Sequence, residues 1–163
     1  MQLIQFSSLT PLPSVSQETI IKKLHDHGAM IEQNPLVIHY ERCPPPEDAP
    51  PDEILRTWYE LTDRVIYIPG LLQGKVRFRA SFENTPLGLK THIYAPLGVD
   101  IRNEWSVSER PSDESPDKQG LYLCEQVDLR CPFGTASFVR KTMKQSHSTL
   151  VARLAEGQAM AGQ

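Results

Sequence analysis

From Lys75 to Val107 apolar and polar residues alternate with a period of two. Val76, Phe78, Ala80 and Phe82 interleave with Arg77, Arg79, Ser81 and Glu83, the mark of a strand with one face buried and one in water. Asn84-Thr85-Pro86-Leu87-Gly88 follows, with Pro and Gly placed as a chain reversal needs them. Leu89, Thr91, Ile93, Ala95, Leu97, Val99 and Ile101 then recur at every second position. The spacing predicts two long strands in a hairpin with one continuous apolar face, running on through Asn103–Val107 past a kink at Pro96-Leu97-Gly98. The rest of the chain must cover that face.

Gln2 to Leu9 reads as a first strand, stopped by Thr10-Pro11-Leu12-Pro13. A helix starts next, either through a Ser14/Gln17 capping box or with Ser16 as cap and Val15/Ile20 as hydrophobic staple. It carries Ile20, Ile21 and Leu24, and His27-Gly28 suits its end. Ala29–Asn34 is a second short helix, broken at Asn34-Pro35. Leu36–Glu41 is a strand, and residues 44–51 hold five prolines in eight, a stiff extended loop. Ile54–Ile68 is a third long strand whose odd and even positions are both rich in large residues, so a bulge near Leu61–Asp63 is expected. Glu109–Lys118 is a polar, acidic loop. Leu121–Cys131 is the last strand, and Thr135 to about Ala155 switches to helical spacing, with Ala136, Val139, Met143, Leu150 and Leu154 on one stripe.

Composition narrows the class. The 163 residues carry a formal net charge of −3, enough chain for one core and a poor match to a nucleic-acid backbone. No eighteen-residue apolar run or charged-then-apolar leader is present, so the expectation is a cytoplasmic protein without stable membrane insertion. Cys43, Cys124 and Cys131 are odd in number and lie outside any C-x-x-C or zinc spacing, so they are expected to be reduced thiols, Cys43 the most reactive. No phosphate loop, dinucleotide fingerprint, nucleophile elbow or metal triad appears. His25 and His27 flank Asp26 on a helix and point apart. The expectation is therefore no metal and no cofactor.

Four stretches resemble a family of fungal START-like proteins: Ile31–Val37 (IEQNPLV), Trp58–Asp63 (WYELTD), Thr91–Arg102 (THIYAPLGVDIR) and Gly120–Leu123 (GLYL). The resemblance, like the element order, implies an α+β helix-grip fold of the polyketide-cyclase (SRPBCC) type. In it a curved antiparallel β-sheet wraps a long C-terminal α-helix, with two short helices after the first strand. Such a domain would span residues 1–156, with 157–163 a frayed tail. The family also implies a hydrophobic cavity between sheet and helix for an apolar or amphipathic small molecule.

Polar residues on the apolar faces are the candidates for chemistry. Glu125 lies between Leu123 and Val127 on the inward side of the last strand, where desolvation favours the neutral acid used in proton transfer. The plainer alternative is a structural carboxylate paired with an arginine. His147 falls on the helical stripe between Met143 and Leu150 and could shuttle protons, or sit there as a satisfied, half-buried histidine. Asn103, inward beside Trp105, could bond a carbonyl or enolate oxygen. Tyr59, Phe78, Phe82, Ile93, Leu97, Trp105, Met143 and Leu150 are the expected ligand-binding wall, or else a filled core. Asp63 is a weaker candidate. His92, Tyr94 and Asp100 fall on the opposite face.

Three functions fit. One is a cofactor-independent cyclase, isomerase or pericyclase of secondary metabolism, with a bulky apolar intermediate as its substrate. The second is a non-catalytic carrier of lipid, sterol or metabolite. The third is a protein-interaction module using the proline-rich and acidic loops. A homodimer is compatible with all three.

Overall fold

The computed structural model describes residues 1–12, 15–68, 72–109, 120–134 and 136–159. Of 65–68, 72, 136, 138, 139, 142, 143, 146 and 154–159 it describes the backbone alone. The elements are β1 (Gln2–Leu12), α1 (Gln17–Leu24), α2 (His27–Ile31), β2 (Val37–Cys43), β3 (Thr57–Ile68), β4 (Leu72–Thr85), β5 (Gly88–Ala95), β6 (Val99–Ser108), β7 (Leu121–Cys131) and α3 (Ala136–Ala159). The strands form one antiparallel seven-stranded sheet in the order β1-β7-β6-β5-β4-β3-β2. The fold is α+β, with few helices against a large antiparallel sheet.

Period-two alternation sorts each strand into two faces. Leu61, Ala80, Phe82, Leu89, Val107 and Leu123 meet Ile20, Leu24, Met30 and Ile31 of the small helices and Leu150 of α3 in one core. A second cluster of Ile101, Val127, Leu129 and Cys131 extends it beneath β1. Ser16 caps α1, its hydroxyl accepting from Thr19 N–H, so of the two starts open to the sequence this one is used. Ile20 and Leu24 are both 0 % exposed, each stabilising the docked helix by roughly 1.5–3 kcal/mol.

Several expectations are corrected. The segment Leu89–Ile101 is two strands, not one. Pro96–Gly98 forms a 3-10 turn, Ala95 pairs with Val99, and Leu97 and Gly98 take φ of 62° and 74°. Alternation survives the reversal because Ala95 and Val99 are an even number of residues apart and both face inward. Leu97, expected in the wall, sits on the turn tip and is 81 % exposed. The second helix starts before Ala29: His27 and Gly28 lie inside α2, whose cap is Asp26, and α1 ends at His25. β3 starts at Thr57, since residues 50–56 fold into turns closed by Glu53 N–H to Pro50 O and Arg56 N–H to Glu53 O. The β3–β4 register runs unbroken from Thr57 to Ile66. The irregularity expected near Leu61–Asp63 lies instead on the partner strand, between Val37 and His39. At Gly88 the β4–β5 turn presses on β6 so closely that a Cβ would sit 1.8 Å from Trp105 O. The acidic loop 110–119 lies outside the described residues.

Candidate functional site

The pairing places side chains on the inner face in rows that cross the sheet. One row is Ser8, Glu125, Trp105 and Leu89; the next is Phe6, Val127, Asn103, Thr91 and Phe82. Glu125 is thus a carboxylate in an apolar setting, 5 % exposed, as its flanking residues predict. The last strand and α3 bring it against His147, with Nδ1 2.5 Å from Glu125 Oε2. A carboxylate only accepts, so Nδ1 carries the proton. Ser8 Oγ donates to the same Oε2 at 3.3 Å, and Thr10 Oγ1 meets His147 Nε2 at 3.2 Å. The bond to Glu125 raises the His147 pKa above its ordinary 6.5; burial opposes this, and the carboxylate's charge adds to the rise. In the neutral ring Nε2 is then an acceptor, held only by an exchangeable hydroxyl.

Asn103 and Thr91, 7 % and 4 % exposed, stand beside this pair on the inner face. Asn103 Oδ1, Thr91 Oγ1 and Trp105 Nε1 are buried without a hydrogen-bond partner among the described residues. Tyr59, Phe78, Phe82, Ile93, Trp105 and Leu150 belong to the inner core. Met143 has no described side chain. Further along, Asp63 receives Asn34 Nδ2 on Oδ2 at 3.2 Å while Oδ1 has no partner among the described residues. Burial pushes its carboxyl up to about 6, against the pull of the Asn34 bond.

The outer face holds a second acid–histidine assembly that sequence reasoning missed. Glu53, 3 % exposed, accepts from Ser81 Oγ at 2.8 Å, Tyr94 OH at 2.9 Å and His92 Nδ1 at 2.7 Å. Arg56 Nη1 lies 3.3 Å from it, and His92 Nε2 meets Asp100 Oδ2 at 2.9 Å. Burial pushes the Glu53 carboxyl up, but the bonds from His92, Ser81 and Tyr94 outweigh it and hold the group below its ordinary range. Burial and the bond to Glu53 push the Tyr94 phenol well up. His92, Tyr94 and Asp100 do face away from the inner core, but His92 is 2 % exposed, covered by residues 53–56. The proline-rich segment borders a cleft of about 310 Å³ lined by Pro46, Asp48, Ala49, Pro50, Trp58, Phe78, Arg79 and Tyr94. The available signal was Ser81 and His92 on a face otherwise ready for charges, with Trp58 among them; a loop residue such as Glu53 has no periodicity to reveal it.

Burial pushes the Cys43 thiol up, which works against the reactivity expected of it. Asp26 is spent on capping α2, and His25 and His27 bond Gly88 O and Asn84 Oδ1. Among the described residues no cluster of three potential ligands could hold a metal, and no helix is long and apolar enough to cross a membrane.

Residues 2–160 match the model of a domain of unknown function, DUF7053. The chain belongs to that family. No curated protein matches this DUF7053 chain. Among solved structures, TTHA0849 from Thermus thermophilus is similar at 14 % identity and a TM-score of 0.52, covering 99 % of this chain and 100 % of that one. DR_A0006 from Deinococcus radiodurans matches at 11 % identity and 0.53, over 96 % and 97 %. StfQ, a di-domain ARO/CYC of the steffimycin biosynthetic pathway, matches at 11 % and 0.61, over 96 % of this chain and 52 % of its own. At these identities the likenesses show the fold alone: this DUF7053 chain shares its fold with these three proteins, the ARO/CYC protein StfQ among them.

Proposed function

We propose that the chain is a cofactor-independent enzyme of the cyclase, isomerase or pericyclase type. Its substrate is a bulky, mostly apolar intermediate of fungal secondary metabolism, bound in the cytoplasm between the inner face of the sheet and α3. The observation that carries this is the Glu125–His147 contact, a buried carboxylate orienting an imidazole on a mostly apolar face. Glu125 holds the Nδ1 proton, so Nε2 takes a proton from a carbon next to a substrate carbonyl. The imidazolium formed stays beside the carboxylate that favours it, and the proton returns to another carbon. Asn103 is suited to hydrogen-bond the oxygen on which the negative charge develops. The fold shared with StfQ, an ARO/CYC protein, supports a small-molecule substrate.

A product assay paired with a binding measurement tests this, using the intermediate supplied by the genes that neighbour this one. General acid–base assistance is worth roughly 10²–10⁴-fold in rate. Glu125→Gln and His147→Phe should therefore lose turnover in that range while still binding. Full turnover in both variants would reject proton transfer by this pair. The second reading is a non-catalytic carrier. It is favoured by the occupation of both His147 nitrogens, by Glu125 and by Thr10, as in a clasp that only holds α3 to the sheet. Binding without chemical change of any bound compound would support it.

A further inference from the structure

Three buried side-chain atoms on the inner face of β5 and β6 have no hydrogen-bond partner among the described residues: Thr91 Oγ1, Asn103 Oδ1 and Trp105 Nε1. Thr91 and Asn103 face each other across the ladder, and Trp105 follows two residues along on the same face. Folded chains leave few such atoms, because an unpaired buried donor or acceptor keeps its full desolvation cost. Three on adjacent strands, Trp105 in the row of Glu125 and Thr91 and Asn103 in the next, make a set with a definite chemistry. The indole N–H only donates, the amide oxygen only accepts, and the threonine hydroxyl does either. An ether or ketone would leave Asn103 Oδ1 unpaired, and an N–H group would leave Trp105 Nε1 unpaired. A hydroxyl serves both. Besides Glu125 and Ser8, the neighbours in these rows are Leu89, Phe82, Val127 and Phe6, so the rest of the ligand should be mostly apolar.

We propose that Thr91, Asn103 and Trp105 form a subsite for a hydroxyl, phenol or enol group on a mostly apolar ligand. This rests on the reading above, that a small molecule binds between sheet and α3, and adds which polar group it carries and where that group docks. The three atoms are closed over in the free chain, so the ligand enters by displacing side chains.

The test is calorimetric titration of the full chain with 2-naphthol, 2-methoxynaphthalene and naphthalene. Wild type should bind 2-naphthol about ten-fold more tightly than the other two, the size expected of neutral hydrogen bonds. The preference should vanish in Asn103→Leu and weaken in Trp105→Phe and Thr91→Val. Thermal melting of the ligand-free Thr91→Val and Asn103→Leu proteins provides the control, since losing an unpaired buried polar atom should leave the midpoint unchanged or higher. A clear drop in both midpoints would mean that the fold itself uses these atoms and would overturn the subsite. Equal binding of the three probes, or a preference that survives Asn103→Leu, would overturn it while leaving the ligand space intact. Failure of all three to bind would overturn both.

Discussion

Opposite faces of one sheet each carry a glutamate bonded to a histidine, and the two assemblies are built for different ends. On the outer face Ser81, His92, Tyr94 and Arg56 surround Glu53 and Asp100 closes the far side of His92, while Arg56 Nε is a buried atom without a partner among the described residues. On the inner face Glu125 and His147 reach between two elements, and Asn103 Oδ1, Thr91 Oγ1 and Trp105 Nε1 nearby lack partners among the described residues. A network in which most groups are paired rigidifies and specifies a fold. A partly satisfied one has capacity left for something that is not protein. On the function proposed above, the difference would separate a structural acid–histidine pair from a functional one without reference to residue type.

The largest effect should come from the outer face. Glu53→Ala leaves His92 and Arg56 beneath the 53–56 turns without their shared partner and should lower stability by about 3–5 kcal/mol, the cost of breaking a buried charged pair, in urea unfolding. Because the Glu53 pKa is lowered on folding, its contribution is present above the ordinary 4.5 and lost as the pH falls through the folded value. A variant as stable as wild type would mean that the network is ornamental.

Asp63 should behave in the opposite way. Its folded pKa of about 6 lies above the ordinary 3.8, so the folded state binds more protons and stability falls as the pH rises between those values. Asp63→Asn keeps an acceptor for Asn34 and removes the charge. It should be more stable than wild type by about 1–3 kcal/mol at neutral pH, with the gain gone below the ordinary 3.8. Equal stability at both extremes would contradict the raised value.

Glu125→Gln should cost less, about 1 kcal/mol, since the amide can still bond His147. His147 then supplies the smallest and most diagnostic effect. Its pKa is raised on folding, so the stability it contributes is full below its ordinary 6.5 and fades as the pH rises through the folded value. His147→Gln should therefore differ most from wild type in mildly acidic solution and least in alkaline solution, as read from thermal midpoints. The reverse order would mean that burial, not Glu125, dominates at His147.

The inner face was legible because its signal is periodic. Glu125 interrupts a run of alternate apolar residues, and Leu121–Cys131 is the strand that the alternation marks. His147 was reached from Leu150 by helical spacing, and the pair's meeting follows from those two periods. Periodicity also explains what failed. It could not show the reversal at Pro96–Gly98, because Ala95 and Val99 keep parity across it, and only the Pro-x-Gly triplet carried a hint. Nor could it reveal Glu53, whose partners Ser81, His92 and Tyr94 come from two different strands and meet it only once the 53–56 turns fold over the outer face. The large residues at both odd and even positions of β3 suggested a bulge. They needed only a second covered face, since Trp58 is buried on the outside while Leu61 is buried within.

The contrast between the two faces is tested most directly by imidazole nitrogen NMR of the full chain during titration with 2-naphthol. Ring signals of His147 should shift and its Nδ1 proton should change its exchange with water as ligand fills the inner face. Those of His92 should stay where they are, because His92 lies on the opposite face of the sheet, held by Glu53 and Asp100. Movement of His92 with His147 unmoved would contradict the account, and shifts of equal size in both would dissolve the distinction on which it stands.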